Sequence, residues 1–136
     1  MSDHLPENSK HQWELSLRAK GTEDAQLLIT VAALGMCQAL AAGSLSPAFA
    51  CQRLFGPALM TRLEQMNACQ ELRRASHLAT ELEDVADLIP NNLGSAIADV
   101  ENELRKALAS LSAKEPVGEK WLVWEAIAAS DAKASN

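Results

Sequence analysis

The chain has 136 residues, which is enough for one domain with a hydrophobic core and too short for two full cores. Hydrophobic residues make up 48% of it, a share that excludes a disordered chain. The net charge of −6 and the isoelectric point near 5.0 argue against nucleic-acid binding, which needs a basic footprint, and are compatible with a basic protein partner.

The first ordered segment is predicted to be a strand. Apolar residues Trp13, Leu15, Leu17 and Ala19 alternate with polar ones up to Gly21. Residues 1–10 are polar and predict a loose N-terminal tail, and 129–136 a matching C-terminal tail. Residues 11–128 are then expected to form a single helical domain.

A lone strand needs a partner. Residues 120–126, which contain Trp121 and Trp124, are the nearest candidate, although their pattern fits a strand or a short helix. We predict that the two ends of the chain pair antiparallel or pack together beside the helices. The alternative is a homodimer in which the Trp13 and Trp121/Trp124 segments pair between two copies.

The most apolar stretch follows, and it predicts a long buried helix. Thr22 is the expected N-cap, the helix is expected to run to about Ala42, and Gly43 is expected to end it. Because this helix is apolar nearly all round, other helices are expected to surround it. Its apolar run is short for a membrane span, so we predict no membrane association.

The number and spacing of the cysteines indicate the cellular compartment. The chain has three cysteines, Cys37, Cys51 and Cys69, and no two of them form a C-x-x-C motif. An odd number of widely spaced cysteines indicates reduced thiols rather than disulfides or a zinc site. We therefore expect a cytoplasmic protein.

Further helices are marked by start and stop signals. Ser46-Pro47 and Pro57 open two short helices, and residues 70–79 form the next one. Thr80 and Glu83 match a T-x-x-E capping box at the start of a short helix that Pro90 stops. The last helix carries an apolar stripe: Leu93, Ile97, Val100, Leu104, Leu108 and Leu111.

These elements predict a mainly α fold, a bundle of about five helices. A minor two-stranded antiparallel element from the N- and C-terminal segments would accompany it.

The charge is concentrated in one stretch, residues 75–104, called here the acidic segment. It contains no Lys or Arg, so its seven acids outweigh the net charge of −6 of the whole chain, and the remainder sums to +1. A solvated acidic face is the commonest meaning of such a pattern. The other meaning is a surface that attracts a basic partner, contacted by Glu81, Glu83, Asp84, Asp87, Asp99, Glu101 and Glu103.

The acidic segment could alternatively form the metal site of an enzyme. The stretch E-D-V-A-D, which holds Glu83, Asp84 and Asp87, resembles the E-E-x-x-E half of the all-α nucleoside triphosphate pyrophosphohydrolases. That resemblance implies Mg²⁺ held by acids of two helices. The second half of the motif, E-x-x-D, is broken here, since the expected region reads Asp99-Val100-Glu101-Asn102-Glu103.

No other catalytic pattern is found in the sequence. His77, Glu81 and Asp84 would share a face only on one continuous helix, and no Ser-His-Asp, Cys-His or phosphate-loop pattern is present. We therefore predict a protein that is not an enzyme and has no cofactor and no metal.

The stretches L-G-M-C-Q-A-L, residues 34–40, and T-E-L-E-D-V-A-D-L-I-P, residues 80–90, resemble an uncharacterised bacterial family of small helical proteins. The resemblance covers roughly residues 13 to 112 and brings no catalytic residues with it. Small acidic proteins of this type often serve as immunity proteins of bacterial toxins, an analogy of class only. The expected function is therefore that of a cognate immunity protein, which neutralises a basic toxin domain by binding it directly.

Overall fold

The protein is described here by a computed structural model, which covers residues 13–123. The chain divides into a helical unit, Gly21–Val117, and a terminal unit made of the residues before and after it. The predicted tails, 1–10 and 129–136, and Trp124 lie outside the described residues.

The helical unit confirms the mainly α prediction. Within residues 13–123 it contains six α-helices and one short 3-10 turn. They are α1 (Thr22–Ala41), α2 (Pro47–Arg53), α3 (Pro57–Gln65), α4 (Gln70–Ala79), α5 (Leu82–Leu88), the 3-10 turn Pro90–Asn92 and α6 (Leu93–Ser112).

The core of the helical unit is built around α6, which packs against both α1 and α4. The predicted stripe supplies its buried residues Ile97, Val100, Leu104 and Leu111, joined by Ala107. All of these except Leu111 meet Cys37 and Leu40 from α1 and Leu72 and Ala75 from α4 in one apolar cluster. Burial of this cluster is the main stabilising term of the unit.

Several helix boundaries follow from the predicted signals. The Ser46 hydroxyl accepts a hydrogen bond from the Phe49 N–H at 3.1 Å, as an N-cap should, and Pro47 is the first residue of α2. Beyond α1, Gly43 has φ 75°, and beyond α3, Asn67 has φ 53°. Both residue types tolerate this left-handed conformation, which stops a helix.

Two predicted caps were wrong. Gly21, with φ 89°, occupies the N-cap position of α1, and Thr22 is its first helical residue. Thr80 does not cap α5; it ends α4, and its hydroxyl donates to the His77 carbonyl at 2.7 Å. A threonine hydroxyl bonds to a preceding carbonyl as readily as to a following N–H, so a T-x-x-E pattern also fits a helix end.

Helix α1 is less enclosed than predicted. Its buried residues, among them Thr30, Ala33 and Cys37, lie towards the core, whereas Val31 and Ala32 are exposed. The helix packs against α6 and touches α2, so the expected ring of surrounding helices does not form within the helical unit. Its length and its mean hydropathy of 1.4 would also fit a membrane span, although core helices of soluble proteins pass the same test.

In the terminal unit, the two ends of the described chain pair antiparallel, at a bridge between Leu17 and Leu122. The Arg18 N–H donates to the Trp121 carbonyl at 2.7 Å, and the Val123 N–H donates to the Ser16 carbonyl at 3.1 Å. Within residues 13–123, the predicted pairing of the ends is thus present as one bridge, and residues 124–126 of the predicted partner segment lie outside the described residues.

Candidate functional site

Helix α5 presents its acids to solvent. Leu82 is fully buried and holds the helix on the core, with Val85 half-buried beside it. Glu83, Asp84 and Asp87 lie on the other side of this short helix, because they fall between the buried positions of a 3.6-residue repeat. All three are exposed.

Two apolar residues follow these acids directly. Leu88 is 78% exposed and Ile89 is 52% exposed. They end α5 just before Pro90, where the chain changes direction into the 3-10 turn. Glu83, Asp84, Asp87, Leu88 and Ile89 together are called here the α5 surface.

The carboxylates of the α5 surface have no basic counterpart in the part of the chain that the structure describes. Within residues 13–123, no Lys, Arg or His side chain lies within salt-bridge distance of Glu83, Asp84 or Asp87. Asp99, exposed on α6, is likewise without an ion pair there. Among the described residues, no ion pair therefore offsets the charge of these acids.

Glu81 stands apart from them. It is the N-cap residue of α5, and its Oε2 lies 4.0 Å from Nε2 of His77 on α4. Both side chains are more than half exposed, so this pair contributes little to stability and weakens the local negative field only when the histidine is protonated.

Glu101 is engaged at the seam between α6 and α1. Its Oε2 accepts hydrogen bonds from Nη2 of Arg105 at 2.6 Å and from Nε at 2.9 Å, as the i,i+4 spacing predicts. It also accepts from Nε2 of Gln38 on α1 at 3.3 Å. The side chain is 20% exposed, so its position is set by these bonds.

Glu103 is engaged on the opposite flank of the α6 stripe, where it meets α4. Its Oε1 is buried and lies 3.5 Å from Nη1 of Arg74, and its Oε2 accepts a hydrogen bond from Nζ of Lys106 at 3.3 Å. Only 12% of the side chain is exposed. Glu101 and Glu103 therefore face different neighbours and do not share one surface.

The acidic segment is thus less unbalanced in three dimensions than in sequence. The bases that neutralise it, Arg74, Arg105 and Lys106, stand just outside its two ends. Of the seven predicted contact residues, Glu83, Asp84 and Asp87 are brought together on α5. Glu81 lies at its start, Asp99 is exposed on another helix, and Glu101 and Glu103 are mostly covered and paired.

Burial makes two of the three thiols, Cys37 and Cys51, weaker acids. Burial, with a smaller effect from the Glu101 charge, raises the pKa of Cys37 from 9.0 to about 11. Burial also raises the pKa of Cys51, which lies close to Ala79 and Glu83. Since the thiolate is the nucleophile, both cysteines stay protonated and unreactive at neutral pH.

The structure offers no support for the metal-dependent alternative in the part it describes. Within residues 13–123, no three side chains among His, Cys, Asp and Glu lie close enough together to hold a metal ion. A shallow depression between α3 and α4 has a lining of mixed charge: Glu64, Gln70, Arg73, Arg74 and His77.

The comparison with protein families matches most of the chain. A family model described as "Protein of unknown function (DUF3969)" matches residues 20–123. The chain belongs to the DUF3969 family. This agrees with the resemblance to an uncharacterised family, and the matched region contains the whole helical unit from Gly21 onwards. Neither a curated protein nor a solved structure matches the chain.

For this DUF3969 chain, sequence reasoning missed Leu88 and Ile89. Both stand in the stretch D-L-I-P at the end of the predicted short helix, and neither was among the predicted contact residues. A signal was available for Leu88, because Leu82, Val85 and Ala86 already occupy the inward positions of this helix and Leu88 falls outside that face. Ile89 would continue the inward face of a longer helix; it is exposed because the helix ends at Leu88 and Ile89, before Pro90, has φ −138° and ψ 66°.

Proposed function

We propose that this DUF3969 protein is an inhibitory binding protein, the cognate immunity protein of a bacterial toxin, and that it neutralises a basic toxin domain through the α5 surface. The observation that carries the proposal is the combination of three unneutralised carboxylates with two exposed apolar side chains on one short, anchored helix.

The charges suit a basic partner. Among the described residues, Glu83, Asp84 and Asp87 have no basic partner while Glu101 and Glu103 are paired, so within the acidic segment the unpaired acids are concentrated at α5. A concentrated field steers an oppositely charged partner and raises the association rate. A nuclease groove that normally holds phosphates offers such a positive surface.

The exposed apolar residues of the α5 surface favour a complex that dissociates slowly. The fully buried core of a protein interface is more apolar than its rim, which is polar and solvent-accessible. Leu88 and Ile89, exposed next to the three acids, have this arrangement. We therefore assign the acids to the association rate and the two apolar side chains to the dissociation rate.

The test is a binding measurement with the purified product of the neighbouring gene, the first partner to examine for an immunity protein. Asp84→Lys with Asp87→Lys is expected to slow association at low salt by about tenfold or more, with little change in the melting temperature. Leu88→Ala is expected to speed dissociation instead. Stopped-flow fluorescence measures both rates, and a toxicity assay measures the loss of protection.

The matched control is Glu64→Lys with Glu115→Lys, which changes the net charge by the same amount. Both residues are exposed and lie outside the α5 surface, so association is expected to remain near that of the natural protein. If the α5 and control variants associate equally fast, the assignment of the partner surface to α5 is wrong.

A further inference from the structure

Residues 13–20 have one bonded edge and one open edge. The bonded edge uses Ser16 and Arg18, whose backbone groups pair with residues 121 and 123. Within residues 13–123, the backbone groups of Leu15, Leu17 and Ala19 make no hydrogen bond. Successive residues of an extended chain turn their backbone groups to opposite edges, so these three point to the open edge.

The residues along this open edge are also apolar and exposed. Trp13 is 85% exposed, Leu15 74% and Leu17 54%. An edge with free backbone groups and exposed apolar side chains is a template for another strand, and two paired segments alone are marginal in water.

We propose that the occupant is a second copy of this chain, paired antiparallel along the open edge with Ser16 opposite Ser16. The segment W-E-L-S-L-R-A, residues 13–19, complements itself in this register. Leu15 then lies opposite Leu17 of the second copy, and Trp13 opposite Ala19. The free N–H and C=O groups of these residues form the hydrogen-bonded pairs of the new ladder.

Charge complementarity selects this register. It places Glu14 opposite Arg18 of the second copy, and the twofold axis repeats the pair. Glu14 and Arg18 make no ion pair with the described residues, so both charges are available. A register centred on Leu17 would instead oppose Glu14 to Lys20, which already lies 3.6 Å from Glu119 of its own chain. One centred on Arg18 would oppose like charges.

A charge swap in the full-length protein tests both the dimer and its register by sedimentation velocity over a concentration series. The natural chain is expected to dimerise as its concentration rises. Glu14→Arg and Arg18→Glu, each alone, put like charges opposite one another at two symmetric places, and each is expected to weaken dimerisation about tenfold. The double variant is expected to return to within about twofold of the natural chain.

Lys20→Glu is the control, because it changes the net charge as Arg18→Glu does and has no cross-strand role in this register. It is expected to leave dimerisation nearly unchanged, as are substitutions on the α5 surface, since self-association does not use that surface. A chain that stays monomeric at the highest concentration overturns the proposal. So does a double variant without recovery, or a Lys20→Glu variant as weak as Arg18→Glu.

Discussion

Gln26 joins two helices that are distant in sequence. Its side chain is 6% exposed, and its Oε1 accepts a hydrogen bond from the Cys69 N–H at 2.9 Å, at the N-cap of α4. No side chain next to α4 caps this end of the helix. The start of α4 therefore depends on a residue of α1, and a buried polar group that looks unfavourable in an apolar helix has a structural role.

Replacing Gln26 by alanine is expected to lower the free energy of unfolding by about 1–3 kcal/mol, because the Cys69 N–H loses its acceptor in a partly buried place. Urea unfolding followed by circular dichroism measures the change. Gln38→Ala is the matched control: this glutamine is exposed on the same helix, and its loss is expected to cost less than about 0.5 kcal/mol. Equal effects of the two substitutions would show that the Gln26 contact is unimportant.

Helix α6 is the element on which the others assemble. It meets α1 along one flank and α4 along the other, and paired glutamates, Glu101 and Glu103, mark the two seams. Both glutamates are mostly covered, but their basic partners stay exposed to solvent, so each ion pair is worth roughly 0–1 kcal/mol, far less than the apolar stripe between them. The stripe holds the helices together, and the glutamates line its edges.

Leu104→Ala is expected to destabilise the protein by about 2–5 kcal/mol, since this side chain is 1% exposed and its truncation leaves a cavity between α6 and its neighbours. Leu88→Ala removes the same atoms from a residue that is 78% exposed, and its effect on stability is expected to stay within about 0.5 kcal/mol. Thermal unfolding distinguishes the two. A large loss of stability in Leu88→Ala would mean that this residue packs into the fold rather than serving a partner.

The whole molecule combines a self-contained helical unit with a terminal unit of different character. Every member of the core cluster, from Ala33 to Ala107, lies inside Gly21–Val117. In the described part of the terminal unit, three large apolar residues, Trp13, Leu15 and Leu17, are exposed. The two proposed contact surfaces, one for a toxin and one for a second copy, accordingly belong to different units.

A fragment of residues 21–117 is expected to fold cooperatively, because it carries the complete core. Its melting temperature is expected to lie within about 8 °C of that of the full chain, the shift that a loss of about 1 kcal/mol produces in a domain of this size. Circular dichroism at 222 nm measures it. A broad, non-cooperative transition would show that the terminal segments are needed for the helical unit to fold.

Local signals in the sequence were sufficient for most of the architecture. The stripe of α6, the Ser46-Pro47 start of α2 and the bounds of α4 were predicted from spacing and from single residues. The wrong assignments, Thr22 and Thr80, concern residues whose hydroxyls can serve either side of a helix end. Which side a hydroxyl bonds depends on the path of the chain around it.

By itself, the sequence determined three things: a mainly helical fold, membership of the DUF3969 family over residues 20–123, and the positions of the acidic residues along the chain. These follow from periodicity, Gly and Pro, whose effects act within a few residues. Only the tertiary structure decided which acids remain unneutralised. Arg74 meets Glu103 from another helix, Gln38 meets Glu101 across a seam, and α5 turns Glu83, Asp84 and Asp87 to solvent. Charge neutralisation and exposure depend on distances in space, and sequence spacing does not contain those distances beyond a single helix.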